Sequence, residues 1–144
     1  MRPAIRTALL CAMVAAPGAW AQLPVATLNA GIHVIRAEVA NTFETRARGL
    51  MFREALGPNQ GMLFIFPDES AQCMWMKNTL IPLSVAFLDA RGQIINIAEM
   101  QPHSEKTHCA AKPARYALEM TKGWFAAKGV LPGMTVQGLQ PARR

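Results

Sequence analysis

Short apolar runs alternate with dense turn signals along this chain, the pattern of many brief β-strands. Met62 to Phe66 and Leu83 to Leu88 are continuous apolar runs of strand length. Pro67-Asp68 is expected to stop the first. Asp89-Ala90-Arg91-Gly92 follows the second as a hairpin turn, with glycine supplying the positive φ angle, and Ile94 to Met100 returns as the partner strand. Gly31 to Ala40 carries the strand formers Ile32, Val34, Ile35 and Val39. Tyr116, Leu118 and Met120 alternate with Ala117 and Glu119, a half-buried strand. Glu119 then points away from the Tyr116 face, where a nearby arginine is its expected partner. A Pro132-Gly133 turn leads to a last short strand, Thr135 to Leu139.

Two stretches read as helices. Thr42 offers an N-cap with Glu44 in the first turn, and Phe43, Ala47, Leu50 and Met51 fall on one helical face. Gly49 costs such a helix about 1 kcal/mol, which implies close packing there or an early end. Thr121 to Lys128 forms a short second helix stopped by Gly129. The pattern predicts a mainly β fold: a compact single-domain β-sandwich or barrel-like sheet with one or two short accessory helices.

The ends change the picture of location. Arg2 and Arg6 precede the apolar run Thr7 to Val14, which Pro17-Gly18 breaks. Ala19-Trp20-Ala21 places small residues where a signal peptidase reads them. Residues 1–21 are therefore expected to be a signal peptide cleaved before Gln22, giving an exported, periplasmic protein with no later segment able to cross a membrane. An uncleaved anchor is the alternative. A lipid anchor on Cys11 is disfavoured by Leu10 before it. Residues 22–30 read as a linker and 31–144 as one globular domain.

The chain has 15 Lys+Arg against 9 Asp+Glu, a net charge of +6, falling to +4 without Arg2 and Arg6. Arg143 and Arg144 supply half of that remainder, and the other basic residues are interspersed with acids. Nucleic acid is not an expected partner. Of three cysteines, Cys73 and Cys109 remain after cleavage. An even count in an exported domain favours a disulfide between them, against two separate buried thiols.

The polar and aromatic segment Cys73-Met74-Trp75-Met76-Lys77-Asn78-Thr79 is the main candidate for chemistry. Trp75 offers a flat apolar wall, and Lys77, Asn78 and Thr79 offer a cation, an amide and a hydroxyl, with Arg48 as a second cation. Such a mixture suits a small polar or anionic ligand. The alternative is a turn whose Asn and Thr satisfy their own backbone. Met74, Met76 and a reduced Cys73 also suggest Cu(I), although methionines commonly fill cores. His33, His103 and His108 lack metal-ligand spacing, so neither a metal nor a cofactor is expected. Ser104 lies beside His103 and Glu105, but adjacent residues in an extended loop point apart, and no catalytic set is assigned.

Five pieces resemble the bacterial and archaeal family known as domain of unknown function 192. They are RGLMFRE (Arg48 to Glu54), GMLFIF (Gly61 to Phe66), WMKNTLIPL (Trp75 to Leu83), FLDARGQI (Phe87 to Ile94) and YALEMTKG (Tyr116 to Gly123). They stand in the family's order and cover nearly all of Glu38 to Leu139. The resemblance implies a compact, mainly β fold, often exported, with no established activity. It implies that Arg48, Gly49, Met51, Trp75, Met76, Lys77, Asn78 and Thr79 are signature positions, and that the cysteine pair belongs to a subset of relatives. Ser84 departs from the acidic residue common after Pro-Leu in the third motif, so an acid catalytic in relatives would be missing here.

The resulting expectation is a non-enzymatic binding or accessory domain of the cell envelope. It would recognise a small polar ligand or a partner protein through Arg48, Trp75, Lys77, Asn78 and Thr79. The alternatives are an envelope hydrolase acting on a small or cell-wall-derived substrate, and Cu(I) handling. The hydrolase would require Lys77 or a carboxylate with a strongly shifted pKa in a real cleft.

Overall fold

The structure, a computed structural model, describes residues 22–139. The expected signal peptide and the Arg143-Arg144 tail lie outside the described residues. Seven strands form one curled sheet: β1 (Val25–Ala30), β2 (His33–Ala40), β3 (Gln60–Ser70), β5 (Leu83–Leu88), β6 (Ile94–Met100), β8 (Ala114–Thr121) and β9 (Val136–Gln137). Their order is β6-β5-β8-β3-β2-β1-β9. A separate two-stranded ribbon pairs β4 (Cys73–Met74) with β7 (His108–Cys109). The helices are α1 (Phe43–Arg48) and α2 (Trp124–Ala127). The fold is mainly β, as expected, and of the two expected forms it is the barrel-like one.

Curling nearly brings the sheet's edges together. β9 pairs with β1, while Thr135 just before it bridges Gln93 at the start of β6. Two further backbone bonds, Gly133 N to Ile94 O and Ile94 N to Met134 O, hold the same junction. Both sheet edges thus find partners at that end of the half-barrel, which limits exposed strand edge.

Each face of the sheet carries its own core. Leu28, Ile35, Leu63, Ile65, Leu118 and Phe125 belong to one, closed by α2. Met62, Phe64, Met76, Leu83, Val85 and Phe87 belong to the other, which the segment after α1 and the residues around Met76 cover. The period-two alternation sends neighbours to opposite cores, so β5 and most of β8 are buried on both faces.

Several expectations need correction. Residues 22–30 are not a linker: Val25–Ala30 is a strand paired residue for residue with β2, burying Ala26, Leu28 and Ala30. The hydrophobic signal there is weak because two of its three inward residues are alanine. Gly31 and Ile32 turn between β1 and β2, so the strand expected at Gly31 starts at His33. Pro67-Asp68 does not end β3, which continues to Ser70 through a register irregularity against β8 between Ile65 and Ser70. A bulge is where a strand tolerates proline's missing donor.

The N-terminus of α1 follows its signal. Thr42 and Thr45 form a reciprocal capping box, each side-chain oxygen accepting from the other's backbone N–H at 3.1 and 3.0 Å. The helix stops at Arg48, however, because Gly49 turns to φ +49° and a β-carbon there would press on the Phe64 ring at 3.1 Å. Leu50 and Met51 therefore leave the helix. No residue of α1 is buried, and Phe43, expected on its inner face, is 77 % exposed.

Candidate functional site

A cleft of about 470 Å³ opens between α1, the end of β3 and the Cys73 to Thr79 segment. Its near wall is built by long-range ties. The Cys73–Cys109 disulfide closes the β4–β7 ribbon, as the cysteine count had favoured. Met76 N donates to Ser104 O and His103 N to Thr79 O, so the loop after β6 holds the segment along its length. Met76 is wholly buried as the anchor. Cys73 is oxidised and Met76 lies in the core, so the thiolate–thioether set imagined for Cu(I) is not assembled.

That anchoring sets the side chains on either side of it. Trp75 is 43 % exposed and lines the cleft. Lys77 stacks on it with Nζ 5.3 Å from the ring centroid, a cation–π arrangement placing both on one side of the segment. The ammonium also lies 4.0 Å from Glu105 Oε1, a loose surface pair. Asn78 takes φ +53° and its carbonyl accepts from Phe52 N at 2.9 Å. Asn78 is not on the cleft wall; it is the turn residue, a role asparagine fills well. Thr79 lines the cleft but donates its hydroxyl to Lys77 O at 3.2 Å, completing that turn. Of the five expected ligand residues, the structure brings Arg48, Trp75, Lys77 and Thr79 to one cavity and leaves Asn78 outside.

Two contributors come from α1 and were not foreseen. Phe43 supplies a second exposed aromatic surface, and Arg46 a further cation, whose Nη1 donates to Ile65 O at 3.0 Å. The third is Glu119. It sits in the second half of β8, directly opposite Met62 on β3 and Val85 on β5, both fully buried. Glu119 itself is 3 % exposed, and that residual surface contributes to the cleft lining. The arginine partner expected for it is not present: among the described residues no ion pair or hydrogen bond reaches its carboxyl. Burial among apolar neighbours pushes its pKa from 4.5 up to about 8, so the carboxyl is protonated at neutral pH. A neutral carboxylic acid both donates and accepts a hydrogen bond.

Close packing around Glu119 depends on one glycine. A β-carbon at Gly61 would collide with the Glu119 carbonyl and the Met120 sulfur, so glycine lets β3 and β8 approach beneath the cleft. Ser84, the departure from the family pattern, serves the other face. It is fully buried, donates to Glu99 Oε1 at 2.8 Å and accepts from Gly123 N at 2.9 Å. It does not line the cleft.

A larger hollow, about 720 Å³, lies on the other side of α1 beside Leu23 and Val25. Of its two acidic residues, Glu38 is already paired with Arg53 and Glu44 is exposed to solvent. The smaller cleft holds the unpaired buried carboxyl and the aromatic–cation pair, and for that reason it is the candidate site. Among the described residues no group of three or more His, Cys, Asp and Glu side chains is placed to hold a metal ion, and no helix is long and apolar enough to cross a membrane.

Fold and site together define a small half-barrel domain with a cleft roofed by aromatic and cationic side chains over a buried acid. Residues 25–138 match the family described as uncharacterized ACR, domain of unknown function 192, and the chain belongs to that family. A search of the curated proteins finds no match. Among solved structures, the chain is similar to a putative transcription regulator from Sinorhizobium meliloti 1021. Identity is 33 %, covering 84 % of this chain and 98 % of that one, with a TM-score of 0.78. It is also similar to a protein of unknown function from Novosphingobium aromaticivorans, at 35 % identity over 86 % of this chain and 94 % of that one, again with a TM-score of 0.78.

Proposed function

We propose that this protein is an exported, non-enzymatic binding domain of the cell envelope, which holds a small polar molecule in the cleft beneath Trp75 and Lys77. One observation carries the reading: Glu119 is buried, unpaired and open to the cleft, beneath a rim bearing Arg48 and Lys77. An isolated carboxyl in an apolar site costs stability, and a bound ligand that hydrogen-bonds it recovers that cost. The volume is that of ordinary small-molecule sites, and the mixture of apolar walls with a few polar groups is their usual make-up. The location rests on the signal-peptide pattern of residues 1–21.

The test separates binding from folding. Lys77 has a side chain 47 % exposed, and its pair with Glu105 is a surface one. Lys77→Ala is expected to leave the melting temperature nearly unchanged, since such pairs contribute about 0–1 kcal/mol. Thermal-shift screening of anionic metabolites should then find ligands that stabilise the wild type and not the variant. A large drop in melting temperature for Lys77→Ala, with no ligand-dependent shift in either protein, would reject the reading.

One observation also favours the alternative of an envelope hydrolase. A carboxylic acid with a raised pKa in a cleft is what a general acid requires, and Glu119 meets that condition. Asp68, Ser70, Lys77 and Thr79 also line the cleft, but none is hydrogen-bonded to Glu119, and His103, its backbone in a turn at φ +60°, does not line it. Hydrolysis of an envelope-derived substrate by the wild type but not by Glu119→Gln would favour this alternative over simple binding.

A further inference from the structure

The cleft has two chemically different poles. At its mouth the charged groups are Arg46 and Arg48 from α1, Lys77 from the segment opposite and Asp68 from the end of β3, with Glu105 4.0 Å from Lys77 just outside the lining, so cations predominate by three to two. At its floor the ionisable group is Glu119 on β8. The elements beside Glu119 present no charge to it: β3 offers Met62 and Phe64, β5 offers Leu83 and Val85. Glu99 and Ser84 bond to each other away from the cleft. Aromatic surface from Phe43, Phe64 and Trp75 lies between the poles.

We infer that the cleft takes an amphipathic organic anion in one orientation, with its charged group at the Lys77 rim, an aromatic or similarly flat apolar body between Trp75 and Phe43, and an uncharged amide or carbonyl group on the Glu119 carboxyl. This rests on the proposed binding role of the cleft and adds the class and orientation of the ligand. An anion lowered to the floor would lie among apolar side chains with no cation beside it, whereas at the mouth it meets Lys77 and the arginines of α1 in reach of water. A cation at the floor would have to enter past that positive rim. An uncharged amide suits the floor, because a protonated carboxyl can donate to its carbonyl and accept from its N–H simultaneously. Loss of the Glu119 proton removes the donor and sets a buried negative charge against the carbonyl oxygen, so binding should weaken above the acid's raised pKa of about 8.

Isothermal titration with four probes tests this on the disulfide-bonded protein. 4-Carbamoylbenzoate has both ends, benzoate lacks the amide, benzamide lacks the anion, and 4-(aminomethyl)benzoate puts a cation in place of the amide. The expected result is that 4-carbamoylbenzoate binds at least about tenfold more tightly than each of the others at pH 6.5, the scale of one good hydrogen bond or ion contact. Its affinity should fall about tenfold or more by pH 9.5 in the wild type. Glu119→Gln, which keeps a donor and an acceptor without a charge, should bind it at both pH values within about threefold of the wild type's affinity at pH 6.5, and so more tightly than the wild type at pH 9.5, and Glu119→Met should lose the advantage over benzoate. Equal affinity for benzoate and 4-carbamoylbenzoate would overturn the floor contact. Tightest binding of 4-(aminomethyl)benzoate, abolished in Glu119→Gln, would overturn the class in favour of a zwitterion and leave the cleft as a binding site. Should no probe bind while protein from its native envelope carries a small-molecule adduct sensitive to Lys77→Ala, the class fails alone; without that adduct, the binding role fails too.

Discussion

Glu119→Gln is expected to remove a stability loss that the wild type shows as the pH rises from about 4.5 to about 8. Below the carboxyl's ordinary value of 4.5, folded and unfolded chains both hold the proton, and the full stability is present. Above it the unfolded chain releases the proton while burial makes the folded protein keep it, so each pH unit costs about 1.4 kcal/mol. The loss is complete once the folded carboxyl ionises near 8. The whole span is on the order of 5 kcal/mol, a large part of a small domain's stability. Urea denaturation at several pH values in the wild type and in Glu119→Gln isolates this group, because every other titration is common to both. The difference between the two curves should widen from pH 5 to pH 8 and then level. Parallel curves would mean that Glu119 is solvated or paired in the folded protein, contrary to its position between Met62 and Val85.

The second large effect belongs to the disulfide. Cys73 and Cys109 are 36 residues apart in sequence, and a closed loop of that size is worth about 4 kcal/mol in the chain-entropy account. Replacing both cysteines with alanine is expected to lower stability by about 2–4 kcal/mol under oxidising conditions and to do little in the presence of a reductant that already opens the bridge. The effect reaches the site, since Cys73 and Met74 line the cleft and β4 and β7 contribute only two residues each. Ligand binding should therefore weaken in the double variant even where it remains folded. Free thiols at both positions in the native protein, or an unchanged denaturation midpoint, would contradict this.

Legibility of the fold followed local signals. Leu83–Leu88 and Ile94–Met100 coincide with the expected strands, because each is an apolar run bounded by unambiguous punctuation. Asp89 confirms the hairpin by accepting through Oδ1 from the backbone of Arg91 and Gln93, at 2.9 Å each. Signals failed where a distant partner decides. β4 and β7 are strands through pairing with each other at the bridged cysteines, and no propensity announces a two-residue strand. Phe43 misled because helical periodicity identifies a shared face without saying what covers it; the helix ends at Gly49 before that face could bury.

The site shows the same division. Trp75, Lys77 and Thr79 were legible as an unusual cluster, and Arg48 as a nearby cation. Asn78 was drawn in by its neighbours, although a left-handed turn position suits asparagine better than a ligand contact does. Alternation on β8 correctly set Glu119 opposite the Tyr116 face. It could not reveal that this opposite face is also buried, because its cover comes from residues 40 or more positions earlier. The available hint was a lone carboxylate within an otherwise apolar strand centre, Ala117-Leu118-Glu119-Met120.

Native mass spectrometry of the protein purified from its own envelope shows whether the cleft carries a ligand. The expected result is a small-molecule adduct on the mature wild-type chain, absent from a Lys77→Ala variant that melts at nearly the same temperature. A wild-type protein carrying no adduct, together with a Lys77→Ala variant that melts far lower, would contradict it and leave the segment around Trp75 as a structural clamp.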